Sequence, residues 1–286
     1  MSHNTYFRKN VILQSGAGFT LLELLVAIAI IGLISNIAIA VVQNSREKAR
    51  LSGAQQFAQQ VHQSFGASEV LRWTFEGTTV NDESGNGRNG TYNGATVATG
   101  IVGQAASFDG NDFIYETSDP PNFSQPWTIS LWVKPNALQS GGAGILSSRN
   151  GSSVDHAFEI NINSNSASCT GRYGFAVDPA GLSTLTQFCF NSPLDTFNTD
   201  WTYIVVVKSG MFVKIYRDGK KALEQSINSV LFNGTIDLLT LGKSLNTVYY
   251  GGLIDEVNIY REALDVGQIE KLYAEGLKTH KIAQGQ

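Results

Sequence analysis

The 286-residue chain is poor in charge, cysteine and histidine, and each shortage removes a class of function. Only 15% of the residues are charged and the net charge is −4, so the basic footprint that tracks nucleic acid is missing and no nucleic-acid partner is expected. The histidines are four and dispersed (His3, His62, His156, His280) and no Cys-x-x-Cys occurs, which leaves zinc without a visible ligand set. No cysteine lies near the N-terminus, so a lipid-modified anchor is excluded. A nucleophile elbow with a serine, histidine and aspartate grouping is also lacking. The two cysteines, Cys169 and Cys189, share a stretch rich in Gly, Ser and Phe. In an exported domain they read as one disulfide, the alternative being two buried thiols.

What is abundant is glycine, with 29 residues, together with 15 Phe and 10 Tyr. That composition suits many short strands joined by tight turns. Alternation in Trp127–Lys134, Trp201–Lys208 and Met211–Arg217 gives strands with opposite faces at odd and even positions. Turn signals separate such runs at Asp109-Gly110, Asn150-Gly151, Asp178–Gly181 and Asn233-Gly234, and Asp218-Gly219 predicts a type I′ hairpin turn. A hairpin centred near Pro179 places Cys169 and Cys189 opposite each other, in support of the disulfide.

The sharpest signal is N-terminal. A polar stretch, 1–18, carries the basic pair Arg8-Lys9 and gives way to an apolar run from Phe19 to about Val42, long enough to cross a bilayer as a helix. Arg46, Lys48 and Arg50 follow it, so charge alone does not orient the segment. One carboxylate, Glu23, stands near the start of the run, where an ionised side chain is costly without a partner. Beyond it Ala54, Phe57, Ala58, Val61 and Phe65 recur at helical spacing, which predicts an amphipathic continuation ending near Gly66.

Gly18-Phe19-Thr20-Leu21-Leu22-Glu23 resembles the processing site of type IV prepilins and type II secretion pseudopilins. The resemblance implies cleavage after Gly18 by a prepilin peptidase and N-methylation of Phe19. It further implies that the Glu23 carboxylate meets the Phe19 amine of a neighbouring subunit, since a buried carboxylate and ammonium are tolerable together and costly apart. Loss of the leader removes Arg8 and Lys9 and takes the net charge to −6. Two features depart from the family's pattern: the leader is long, and Ala40 stands where a proline is often found. Competing readings are a secretory signal cut at Ala38-Ile39-Ala40 and an uncut membrane anchor; the first has too long an apolar core, and neither explains Glu23.

Asp82–Gly90, Ser107–Asp112, Trp127–Pro135 and Gly251–Tyr260, in that order, resemble the laminin-G-like family of concanavalin A-type jelly rolls. The resemblance implies a mainly β fold: an antiparallel jelly-roll sandwich preceded by one long N-terminal α-helix, with Leu71–Phe75 paired to Ile254–Tyr260. The expected organisation is a leader at 1–18, a transmembrane and filament-core helix at 19–43, its amphipathic continuation at 44–67, the sandwich at 68–276 and a flexible tail at 277–286. Members of the family often hold calcium, which takes oxygen ligands from loops, and Asp82, Asp109, Asp112 and Asp255 are the candidates. Hydrolases on this fold use Glu-x-Asp-x-x-Glu, a motif this chain lacks. Glu159 stands alone and reads as a solvated or edge residue rather than a catalytic one, and no enzyme is expected. Tyr249 and Tyr250, or Trp127, are the aromatic candidates for stacking on a sugar, with core packing as the alternative.

The sequence therefore predicts a subunit of a type IV pilus-like filament, partnered by other pilins and displaying a domain that binds a glycan or protein. It would lie in the bacterial cytoplasmic membrane before assembly and on the cell surface or in an extracellular filament afterwards. The alternatives are a pseudopilin of a secretion or DNA-uptake machine and a membrane-tethered lectin.

Overall fold

A computed structural model describes residues 20–32, 65–139, 141–150, 153–162, 171–177, 186–190, 198–227, 236–245 and 247–283. The chain divides into two units, Met1–Ser52 and Gly53–Gln286. In the first, residues 21–32 form helix α1. Among the described residues no helix is long and apolar enough to cross a membrane. The expected continuation through 33–64 lies outside the described residues.

The second unit is a β-sandwich. Its strands are β1 (Glu69–Trp73), β2 (Thr91–Asn93), β3 (Thr96–Thr99), β4 (Gln104–Asp109), β5 (Phe113–Glu116), β6 (Trp127–Pro135), β7 (Ala143–Asn150) and β8 (Ser153–Ile162). They continue with β9 (Tyr173–Val177), β10 (Thr186–Phe190), β11 (Thr202–Ser209), β12 (Phe212–Arg217), β13 (Lys220–Ser226), β14 (Leu238–Leu241) and β15 (Gly251–Tyr260), and the chain closes with helix α2 (Val266–Ala283). An eight-stranded sheet runs β13-β12-β11-β6-β15-β4-β3 with β1 also on β15, and a seven-stranded sheet runs β10-β9-β8-β7-β14-β5-β2. As expected, the first and last strands close the domain, with Leu71 opposite Ile259 and Trp73 opposite Val257. The Asp218-Gly219 turn also forms as predicted: both residues have positive φ (52° and 76°) and join Arg217 to Lys220.

Period-2 alternation divides each central strand between two apolar layers. On β6 and β11, Ile129, Leu131, Val133, Ile204 and Val206 enter the core between the sheets, where Trp73, Phe108, Phe158 and Phe175 also pack. The other face of the same strands is buried too. Trp132, Tyr203 and Val205, with Tyr216 of β12, lie under Ile269 and Leu272 of α2, and Phe65 joins this second cluster with its ring edge against Tyr260, 6.0 Å between centroids. Helix α2 opens on a reciprocal cap, with Gln268 N–H donating to Asp265 Oδ1 at 2.9 Å and Asp265 N–H to Gln268 Oε1 at 2.7 Å.

Two expectations are corrected. The chain after Gly276 is not a flexible tail from its first residue: α2 continues to Ala283, held because Gly276 and Leu277 pack on the second cluster. The hairpin of β9 and β10 sets Cys189 opposite Gly174, five positions from Cys169, because Phe175, Val177 and Phe190 must all face the core, so it is the directly opposed register that is corrected; Cys189 is itself disulfide-bonded. Cys169 itself lies outside the described residues.

Candidate functional site

Gly18 and Phe19 lie outside the described residues, whereas Glu23 sits in the first turn of α1. The backbone N–H and the hydroxyl of Thr20 donate to Glu23 Oε2 at 2.9 and 3.0 Å, and Glu23 N–H donates back to Thr20 Oγ1 at 3.3 Å. This is a capping box, which satisfies donors that a helix start leaves unpaired. Its signature, Thr-x-x-Glu, is present in the sequence but is masked there by the processing motif it overlaps.

The four aspartates proposed for calcium stand at three separate places. Asp82 accepts from Arg72 N–H at 3.0 Å, Ser84 N–H at 3.0 Å, Ser84 Oγ at 2.6 Å and Arg88 N–H at 2.9 Å, which ties the 82–90 loop to β1. Burial raises its pKa, but these hydrogen bonds outweigh burial and the net shift is downward. Asp112 and Asp109 are neighbours in one turn: Asp109 N–H donates to Asp112 Oδ2 at 2.9 Å, and Asn111 N–H donates to Asp109 Oδ1 at 3.2 Å. Asp255, fully buried on β15, accepts from Ile101 and Val102 N–H at 3.0 and 3.1 Å and from Glu256 N–H at 2.8 Å. Among the described residues no group of three acidic, histidine or cysteine side chains is placed to hold a metal ion.

The aromatic candidates separate as well. Tyr250 and Trp127 are core residues, Tyr250 edge-on to Phe108 at 6.1 Å and Trp127 stacked on Phe158 at 5.4 Å. Neither reaches a ligand, because alternation turns both inward. Tyr249, one residue on, stays half-buried at the surface beside Phe113, 6.3 Å between centroids, and Phe113 in turn meets Tyr115 at 5.8 Å.

Phe113 and Tyr115 border a cleft of about 280 Å³ on the outer face of the seven-stranded sheet. Register builds its floor: Thr240 lies opposite both Tyr115 and Ser147, and Leu238 lies opposite Arg149. Lys243, Ser244, Leu245 and Thr247 form its wall. Gly144 lets that segment press onto β7, since a Cβ there would collide with the Ser244 backbone, and Ser147 Oγ donates to Lys243 O at 2.8 Å. Lys243 Nζ stands over the Phe113 and Tyr249 rings at 4.6 and 5.2 Å from their centroids. Sequence periodicity reveals the strand face but not the wall, because the wall comes from an irregular segment.

Glu159 is neither solvated nor at an edge. It lies buried on β8 on the same outer face, opposite Ser147, and accepts from Leu245 N–H at 2.9 Å and Asn161 Nδ2 at 2.5 Å. Burial raises its pKa against those two donors. The side chain bonded to it is an amide, not the second carboxylate that glycoside hydrolysis requires.

A second group of acids gathers where β1, β15 and α2 meet. Burial pushes Glu69 and Glu256 up to about 7 and Glu275 up to about 8, with Arg72 opposing the shift in each case. The Arg72–Glu69 pair is 3.6 Å apart.

Residues 14–35 match a family model described as a prokaryotic N-terminal methylation motif. In general that motif marks chains processed by a prepilin peptidase, inserted in a membrane and assembled into a surface or extracellular filament. Residues 108–270 match a model described as the concanavalin A-like lectin/glucanases superfamily. Comparison with curated proteins finds no match. Among solved structures, the chain is similar to domain 4 of AbnA, an extracellular arabinanase from Geobacillus stearothermophilus, solved in complex with arabinotriose. That likeness has 22% identity and a TM-score of 0.58, covering 72% of this chain and 98% of that one. It is also similar to a botulinum neurotoxin type C structure concerned with two ganglioside molecules, at 15% identity and a TM-score of 0.59 over 74% of this chain and 52% of that one. The binding domain of Paraclostridial Mosquitocidal Protein 1 follows at 16% identity and a TM-score of 0.57, over 73% and 52%. The chain thus spans about half the length of the two toxin structures, and at these identities the likeness is one of fold. The chain thus joins an N-terminal methylation motif to a concanavalin A-like jelly roll. The match at 108–270 spans more than half of the chain, which belongs to the concanavalin A-like lectin/glucanases superfamily.

Proposed function

We propose that this chain is a subunit of a type IV pilus-like filament whose jelly roll is displayed for adhesion, with the cleft on the seven-stranded sheet as the contact point. The observation that carries the reading is the methylation motif at 14–35, because it couples an apolar helix to a cleavable leader in the same chain as a lectin-like domain. Gly18 is the last leader residue, Phe19 becomes the methylated first residue, and Glu23 offers its carboxylate to the Phe19 amine of the next subunit. That exchange is favourable in an apolar filament core, where neither charge is stable alone. The adhesive half of the reading is supported by the fold and by the aromatic cleft, since half-buried rings beside convergent polar groups suit a saccharide.

The test is mass spectrometry of the N-terminal peptide from membrane and sheared-surface fractions of the native cells. Methylated Phe19 as the first residue, found in sheared fibres, is the expected result. A chain starting at Val41 or retaining Met1 would overturn the filament reading.

A further inference from the structure

The cleft carries two cations and no acid. Arg149 projects from β7 and Lys243 from the wall, and the other lining residues are neutral. This stands out in a chain with a net charge of −4. Among the described residues neither cation forms an ion pair. Arg149 Nε is buried without an acceptor, a costly state for a guanidinium donor unless something else supplies one. Glu159, on the adjoining strand, does not supply it, since its oxygens are held by Asn161 and Leu245 and it does not line the cleft. Lys243 is poised differently: two ring faces hold its ammonium in place at the mouth.

Resting on the adhesive reading above, we propose that the cleft selects an anionic saccharide, a sugar bearing a carboxylate or sulfate ester. The anion meets Arg149 and Lys243, and the C–H face of the ring lies against Tyr115. Arginine presents a planar fork matched to either oxyanion, whereas lysine adds a point charge and no geometry. Ser147 and Thr240 on the floor, with Asn93 at the rim, provide neutral donors and acceptors for ring hydroxyls. The volume, about 280 Å³, lies at the small end for ligand sites, so a terminal sugar fits better than the middle of a chain.

The experiment measures binding of glucuronate, galacturonate and galactose 6-sulfate, against glucose and galactose, to the full chain in detergent. It uses the unmodified protein and the R149Q, K243Q, Y115A and K271Q variants, and circular dichroism checks each fold. At least one charged sugar should bind about tenfold or more tightly than its neutral counterpart, with R149Q and K243Q removing that preference and K271Q, on α2, keeping it. Y115A should weaken charged and neutral sugars alike. Carboxylate and sulfate are told apart by which charged probe binds. Equal binding of charged and neutral sugars, unaffected by R149Q, would overturn the anion assignment and leave the adhesive reading standing. Absence of binding by every probe would overturn the anionic-saccharide assignment, and intact fibres in that case would show that the filament reading survives it.

Discussion

Gly276 of α2 rests on the indole of Trp132 so closely that a Cβ at that position would stand 2.7 Å from the ring. The ring has nowhere to move, because Tyr203 and Tyr273 flank it at 4.9 and 5.6 Å between centroids. Gly276→Ala gains about 1 kcal/mol of helix propensity and incurs about 1–3 kcal/mol of overpacking. The expected net effect is destabilisation by about 1 kcal/mol, read as a lower urea midpoint with an unchanged slope. A stabilised variant would show that α2 is not seated on Trp132.

The acids Glu69, Glu256 and Glu275 give stability an unusual pH dependence. Their folded pKa values, about 7, 7 and 8, lie above the ordinary 4.5, so between those limits the folded state binds more protons than the unfolded one. Stability from these groups is fully present below pH 4.5 and is lost as pH rises through 7 to 8. Asp82, with its pKa lowered, acts oppositely and only at strongly acid pH. Thermal unfolding should therefore fall in midpoint from pH 5 to pH 8.5, by on the order of 2 kcal/mol of stability after allowing for partial exposure. Glu69→Gln together with Glu275→Gln should flatten the profile, and a profile rising over this range would contradict the burial of these groups.

Thr20 and Glu23 share one capping box, yet only Glu23 carries the charge proposed for assembly. Thr20→Ala should fray the start of α1 at a cost of about 0.5–2 kcal/mol and leave filaments in sheared fractions. Glu23→Ala should abolish them, because it removes both the cap and the charge. Equal loss of filaments in the two variants would assign the role to helix capping alone.

Cys189 is disulfide-bonded, although Gly174 and not Cys169 lies opposite it on the neighbouring strand, and Cys169 is the other cysteine of the chain. Alkylation of the unfolded, unreduced protein should label neither residue, and labelling of both should appear only after reduction. Closing a loop of about 20 residues stabilises a domain by about 3 kcal/mol, so Cys189→Ser should lower the urea midpoint accordingly. Labelling without reduction would assign two free thiols.

The sandwich was legible because its signals are local. Alternation marks β6 and β11, Asp218-Gly219 marks one hairpin, and the final strand carries a motif long enough to recognise. The cleft was not, for the opposite reason. Arg149 and Lys243 are far apart in sequence and meet only through the pairing of β7 with β14 and the fold-back of 242–245. Tyr249 and Tyr250 are equivalent in composition, and only the direction of the backbone decides that one faces outward and the other fills the core. Glu159 looked like a surface acid because an irregular segment, invisible to periodicity, covers it.

Phe65 and β1, through which the chain enters the sandwich, belong to the eight-stranded sheet, while the cleft lies on the outer face of the seven-stranded one. A pull between a held ligand and a filament would therefore cross the aromatic core from layer to layer. Such a load shears many interlocked side chains at once instead of opening a single ladder one hydrogen bond at a time. On the adhesive proposal, that load would pass through the packing of Trp127, Phe158 and Phe123 between the sheets.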